Sequence, residues 1–249
     1  MIELKNVSKT FNKGKANEVN ALKNTSIKIE KGEFVVVIGE NGSGKSTFLN
    51  LVAGNIYPSE GNIYLQGEDV TKLPEFGRSR WIARVFQNPL SGTASELSIL
   101  TNFRLASLRT QRKKMVIGTN RKFVEKVKEQ VSSLNMGLEN KLEQSMGSLS
   151  GGQRQALTLL MSVMDEAKIL LLDEPTAALD PRSAQLILKT ADQLITQYGL
   201  TAVLVTHNLK DAYTHGNRIL QFSEGEIIRD ISSSEKEKIQ QTDLYAWFE

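Results

Sequence analysis

Three groups of residues in this chain have the types and spacing for phosphate chemistry. The first is GENGSGKST, which fits G-x-x-x-x-G-K-[ST] from Gly39 to Ser46. It follows the apolar run FVVVI and precedes STFLNLVAG, the strand–loop–helix setting that such a loop needs. Gly39, Gly42 and Gly44 let the backbone curl, so that successive N–H groups through Asn41 and Ser43 point at phosphate oxygens. Lys45 adds a positive charge towards the β and γ phosphates of a nucleotide. The Ser46 hydroxyl can ligate Mg²⁺, and Thr47 makes a lesser phosphate contact from the helix that follows. The second group is Asp173-Glu174, closing the apolar run ILLLDEP. Carboxylates at the carboxyl end of a parallel strand stand where open α/β sheets bind ligands. There Asp173 can hold Mg²⁺ through water, and Glu174 can orient or deprotonate an attacking water. Acids are also common where a strand simply reaches solvent, and the phosphate loop upstream favours the chemical reading. The third is His207, ending TAVLVTH, from which an imidazole can reach a γ-phosphate or that water, or serve as a structural strand-end residue.

A second glycine loop lies about a hundred residues after the first. In GSLSGGQRQALTLL, Ser150 can cap a helix beginning near Gln153, while Gly151 and Gly152 expose its first N–H groups. An anion is favoured there by the positive end of the helix dipole. Standing alone, the same residues would read as an ordinary helix start.

These groups need a sheet to hold them. IELKNVSKTF alternates like a half-exposed strand, and IKIE, GEFVVVIG, GNIYLQG and WIARVFQ add short strand-like runs. KILLLDE and TAVLVTH are continuous apolar runs, as expected of strands buried on both faces of a parallel sheet. RILQFSEGEIIRD reads as a hairpin turning at Ser223-Glu224-Gly225. Between about residues 90 and 165 strand runs give way to helical spacing, with Phe123, Val124, Val127 and Val131 on one face. The expected architecture is one α/β domain with a helical insertion. The basic run RTQRKKM, residues 109–115, reads as a solvated face or an acidic-partner contact. The tail TDLYAWFE, residues 242–249, either packs on the core or helps a dimer contact.

Composition narrows the classes. The 249 residues are 40% hydrophobic and 24% charged, as in an ordinary globular core. No run approaches 18 apolar residues, and the N-terminal MIELKNVSKTF lacks the apolar centre of a signal peptide. The absence of cysteine excludes disulfides, thiolate catalysis and cysteine metal sites, and is compatible with a reducing cytosol. A net charge of +3 gives little support to nucleic-acid binding, and none is expected. Two histidines are too few for a histidine-rich metal site.

Taken together the motifs resemble those of the nucleotide-binding subunits of ABC transporters. LSGGQ at 149–153 matches the family's signature. Around it, in family order, stand Walker A at 39–47, Gln87 in VFQNP, Walker B at 169–174, AALD ending at Asp180, and His207. The resemblance covers nearly the whole chain. It implies a P-loop NTPase core with a parallel sheet, an N-terminal antiparallel β region and an inserted helical subdomain, all within one domain of residues 1–249. It further implies a homodimer formed head to tail on ATP, with the nucleotide held between Gly39–Thr47 of one copy and Ser150, Gly151, Gly152 and Gln153 of the other. Glu174 becomes the general base and His207 the transition-state linchpin. Gln87 becomes a Mg²⁺ ligand beside Ser46 and Asp173 and couples nucleotide state to a membrane partner. Asp180 communicates between the two sites. Phe11 takes the place where the family usually stacks a tyrosine on adenine, keeping the π-face and losing the hydroxyl; otherwise it is a strand-end core residue.

The resemblance also implies ATP and Mg²⁺ as cofactors and separate permease subunits in a bacterial cell membrane, with this chain peripheral on the cytoplasmic face. Gly92-Thr93 and NFRLA at 102–106 look like the branch serving importers with an extracellular substrate-binding lipoprotein, for aromatic amino acids or related compounds. The alternatives are an exporter of the lipoprotein-releasing or macrolide type, and a soluble ABC ATPase acting on ribosomes or DNA. A pure nucleotide sensor fits poorly with an intact Glu174 and His207.

Overall fold

The computed structural model describes residues 1–109 and 118–248. Strands β1 (Ile2–Phe11), β2 (Val19–Ile29) and β3 (Phe34–Gly39) lead into helix α1 (Lys45–Ala53). Next come β4 (Glu60–Leu65), β5 (Glu68–Asp69), the short α2 (Glu75–Arg78) and β6 (Ile82–Val85). A helical stretch carries α3 (Ile99–Ser107), α4 (Arg121–Ser132) and α5 (Gly151–Ser162). The chain then alternates through β7 (Ile169–Asp173), α6 (Pro181–Tyr198), β8 (Thr201–Val205), α7 (Leu209–Thr214) and β9 (Arg218–Ser223). It closes with β10 (Glu226–Ile231), α8 (Ser233–Lys236) and α9 (Gln241–Ala246).

The larger sheet has the order β10-β9-β3-β8-β7-β6, parallel except for the β9–β10 hairpin. Every residue of β3 and β8 is buried, which accounts for the unbroken apolar runs. Alternation still operates inside β3. Val36 and Ile38 join the core formed with α3 to α6, while Val35 and Val37 join the opposite core around α1. That second core is closed by the antiparallel sheet β2-β1-β4-β5 through Leu4, Ile29 and Ile63.

Several elements go beyond what the strand and helix patterns mark, and two of them, β2 and α6, are long. Strand β2 begins at Val19, well before IKIE, because register irregularities against β1 between Val7 and Thr10 break the alternation of its buried Leu22, Thr25 and Ile27. Helix α6 is marked in the sequence mainly by its ends. Its signals are an Asp180 N-cap, Pro181 in the first turn, Gly199 in the left-handed conformation after the last turn, and a buried stripe of Ile187, Leu188, Ala191, Leu194 and Ile195. The tail packs on the core: Leu244 is fully buried, and Trp247 and Phe248 lie against the same cluster. Of the basic run, Arg109 bonds Asp165 through Nη2 at 2.8 Å, and residues 110–115 lie outside the described residues. No helix of the described residues is long and apolar enough to cross a membrane.

Candidate nucleotide site

Parallel pairing brings the chemical residues to one edge. Asp173 pairs with Val205, and Val37 pairs with the same Val205, so Gly39, Asp173 and Thr206 all leave the carboxyl ends of adjacent strands. The loop after β3 is a cradle of unusual backbone. Gly39, Gly42 and Gly44 have φ of 149°, 81° and 106°. A Cβ at Gly39 would stand 2.3 Å from the Phe222 carbonyl oxygen, and one at Gly44 2.6 Å from that of Ala21, so both must be glycine. The Ser43 hydroxyl is buried without a hydrogen-bond partner. Lys45 folds back and donates from Nζ to the Gly39 and Glu40 carbonyls at 2.8 and 2.7 Å. Burial lowers its pKa, and the charge of Glu174 acts the other way. A curled loop, an orphaned hydroxyl and a buried lysine ammonium folded onto the loop's own carbonyls fit a polyphosphate with its cation. Ser46 and Thr47 follow Lys45 in the first turn of α1.

Glu174 is the most constrained residue of this edge. Its φ of 43° lies in the left-handed region, uncommon for a residue with a side chain. The conformation is held by its N–H donating to the Val205 carbonyl at 3.0 Å, and it turns the chain sharply out of β7. The Glu174 carboxylate meets His207 Nδ1 at 3.1 Å. His207 is exposed, so its free ring edge faces solvent above the loop. A cavity of about 270 Å³ there is lined by Gly39, Glu40, Asn41, His207, Leu209 and Phe248. Glu174 and His207 are thus hydrogen-bonded at the same carboxyl edge of the sheet from which the Lys45 loop departs.

The second glycine loop joins a different neighbourhood. Ser150 caps α5 in a full capping box: its hydroxyl accepts from the Gln153 N–H, and its own N–H donates to the Gln153 side chain. A Cβ at Gly151 would meet Leu179 at 3.4 Å and Pro89 at 3.9 Å, and one at Gly152 would strike the Ser183 hydroxyl at 2.7 Å. So Gly152 is required by the close approach of α5 and α6, whereas Gly151 has room for a side chain. Asp180 caps α6 by accepting from the Arg182 and Ser183 N–H groups, both at 3.1 Å, and hydrogen bonding from Ser183 holds its carboxyl below the usual range. Gln87 is exposed, two residues beyond β6, and no hydrogen bond among the described residues joins it to Asp173 or Glu174. Phe11 ends β1, half-buried, with the Lys9 ammonium 5.0 Å from its ring centre.

Three positioning residues escaped the motif reading. Arg154, buried in α5, donates to the carbonyls of Met146, Gly147 and Leu149 and so clamps the approach to Ser150. Gln155 is 1% exposed and ties the Phe86 and Pro175 carbonyls together at 2.8 and 3.1 Å, joining the segment before Gln87 to the segment after Glu174. Arg84, on β6, ion-pairs with Asp173 at 2.6 Å. The available signal was polar character inside otherwise apolar runs, which fully buried elements accept only when hydrogen-bonded.

The ABC transporter family matches residues 22–177, which include the loop, the signature and the acidic strand end. The chain belongs to the ABC transporter ATP-binding family. This ABC ATPase is 37% identical over 253 residues to a tyrosine transport ATP-binding protein of Clostridioides difficile, covering 100% of this chain and 99% of that one. A xylose/arabinose import ATP-binding protein of Sulfolobus acidocaldarius is 33% identical over 92% of this chain and 86% of its own. Among solved structures, an ATP-binding cassette in a dimeric post-hydrolysis state with ADP and Pi superposes with a TM-score of 0.80 at 31% identity, covering 94% of this chain and 99% of that one. The fold is that of the ABC ATPases, and this subunit binds ATP and couples its hydrolysis to transport.

Proposed function

We propose that this ATPase works as a head-to-tail homodimer in which each ATP, with Mg²⁺, lies between the 39–47 loop of one copy and residues 150–153 of the other. The observation that carries the reading is the division of the site. Glu174 bonds His207 at the sheet edge from which the Lys45 loop departs, while a side chain at Gly151 of the same chain would meet Leu179 and Pro89. The similarity to a cassette solved as a dimer supports it.

Each residue then has a task. Lys45 exchanges its two carbonyl partners for β and γ phosphate oxygens, joined by the N–H groups of the Asn41–Ser46 loop and by Thr47. Ser46, Asp173 and Gln87 would hold Mg²⁺, which would neutralise phosphate charge when bound. Glu174 takes the proton of the attacking water, and His207, already bonded to it, fixes its orientation. Ser150, Gly151, Gly152 and Gln153 of the second copy present a helix N-terminus to the γ-phosphate. Asp180 lies beside that contact and links the two sites, and Phe11 stacks on adenine. The helical stretch from about 90 to 165 moves as a subdomain, with Gln87 as its link to the nucleotide.

The transport reading is import of an amino acid of the tyrosine type or a related small molecule. Separate permease subunits span a bacterial membrane, this chain is peripheral on its cytoplasmic face, and an extracellular binding lipoprotein delivers the substrate. The name of the xylose/arabinose import relative supports import, and that of the tyrosine transport relative supports an amino acid as the substrate. Membrane pull-down should recover a polytopic protein, and recovery of ribosomes or DNA instead refutes the assignment.

The catalytic assignment is tested by Glu174→Gln. The amide keeps the shape and cannot accept a proton, so turnover should fall by about 10²–10⁴-fold. ATP should then hold a dimer visible by size-exclusion chromatography. Unchanged turnover would remove Glu174 as the base.

A further inference from the structure

We infer that Arg84 is the positioning residue of Asp173, holding one carboxylate oxygen so that the other is presented to the metal–nucleotide complex. The inference rests on the reading of Asp173 as a metal residue. Arg84 lies on β6 beside β7, paired with Leu171, two residues before Asp173. Its side chain is 9% exposed and that of Asp173 16%, so the pair is shielded from water that would otherwise weaken it. Nη2 donates to Asp173 Oδ2 at 2.6 Å.

The guanidinium is anchored independently of the carboxylate. Nη1 donates to Asn55 Oδ1 at 2.7 Å, and Asn55 in turn donates to Glu75 Oε2 at 2.6 Å. The guanidinium carbon lies 4.7 Å from the centre of the Phe86 ring, next to Gln87 in sequence. Two elements therefore hold it, β6 and the turn after α1, and α2 braces that turn through Glu75. A group held on those sides is a fixed arm and not a stand-in cation that swings away when metal arrives. The contact engages Oδ2 and leaves Oδ1 available, the arrangement by which an outer-shell partner orients a metal-binding carboxylate. The arginine's positive charge opposes a nearby cation, so orientation must outweigh repulsion for this role to hold. The experiment decides between them by sign.

The test compares Arg84→Gln, Arg84→Lys and Asp173→Asn with the wild-type chain. Affinity for a fluorescent ATP analogue is measured in EDTA and in Mg²⁺, and the Mg²⁺ dependence of hydrolysis is measured alongside. In EDTA the Arg84 variants should bind like wild type. In Mg²⁺, Arg84→Gln should bind about tenfold more weakly and need about tenfold more Mg²⁺ for half-maximal turnover. Arg84→Lys, which keeps the charge and one hydrogen bond, should recover part of both. Melting temperatures identify a variant that has merely lost its fold, and in that case Arg84→Lys carries the comparison. A wild-type Mg²⁺ response in Arg84→Gln overturns the inference, and so does a tighter one, which would mean that the arginine competes with the cation. If Asp173→Asn alone weakens the Mg²⁺ response, only the role of Arg84 fails. If Asp173→Asn leaves it intact, the metal reading fails and the inference with it.

Discussion

Glu174 and Gly39 show two ways in which a single residue bears the cost of an unusual backbone. At Glu174 a side chain persists in the left-handed region, a conformation that costs of order 1–3 kcal/mol and survives only when its surroundings over-determine it. At Gly39 no side chain is possible, because the Phe222 carbonyl occupies the place of a Cβ. Gly39→Ala is therefore expected to displace the loop from β9, lowering stability by about 2–3 kcal/mol in denaturant unfolding. Affinity for an ATP analogue should fall with it. An alanine variant that melts and binds like wild type would show that the loop adapts freely. The loop, Asp173-Glu174 and His207 were legible in the sequence because each motif sits directly after an apolar strand. The Glu174–His207 bond and the Arg84–Asp173 pair were not, because they join residues 33 and 89 positions apart, and only sheet order brings them together.

Elements proved legible where burial leaves a simple period and obscure where it does not. Strands β3, β7 and β8 announce themselves as apolar runs. Helix α4 does so by its spacing, Val127 and Val131 being its buried residues. Strand β2 is masked by its irregular register, and α6 lies after a motif that drew attention to Asp180 alone. The tail could be read either as core or as dimer contact, since aromatic residues suit both. The position of α9 decides for packing: Leu244 has no exposure, Trp247 accepts from the Gln221 side chain at 3.2 Å, and Arg229 lies 5.1 Å from the Trp247 ring centre. Leu244→Ala should then cost about 2–5 kcal/mol, measured by chemical unfolding, through lost burial and the cavity left behind. Since Phe248 lines the cavity beside Gly39 and His207, the same variant should also alter nucleotide affinity. A change below about 0.5 kcal/mol, the range of neutral surface substitutions, would mean that the helix is not docked in solution.

At the scale of the whole molecule, the two adjacent glycines of the signature differ in what the single chain asks of them. Gly152 is explained inside one chain, since any side chain would press on Ser183. Gly151 has no such explanation: the nearest atom to a Cβ there belongs to Leu179, at 3.4 Å, ordinary contact distance. A glycine with room beside it, at the first position of a well-capped helix, is what a surface approached by a phosphate from another molecule requires. Gly151→Asp should therefore fold and bind an ATP analogue as a monomer with wild-type affinity. In the dimer its carboxylate would face the γ-phosphate, and repulsion in a closed, poorly hydrated interface is strong. Hydrolysis should fall at least about tenfold, the scale of losing one well-placed anion donor or more. Wild-type specific activity should rise with protein concentration at low occupancy of the dimer, and the variant's should stay flat. If Gly151→Asp abolished analogue binding to the isolated monomer as well, the signature would belong to the nucleotide site of its own chain, and the head-to-tail arrangement would have to be abandoned.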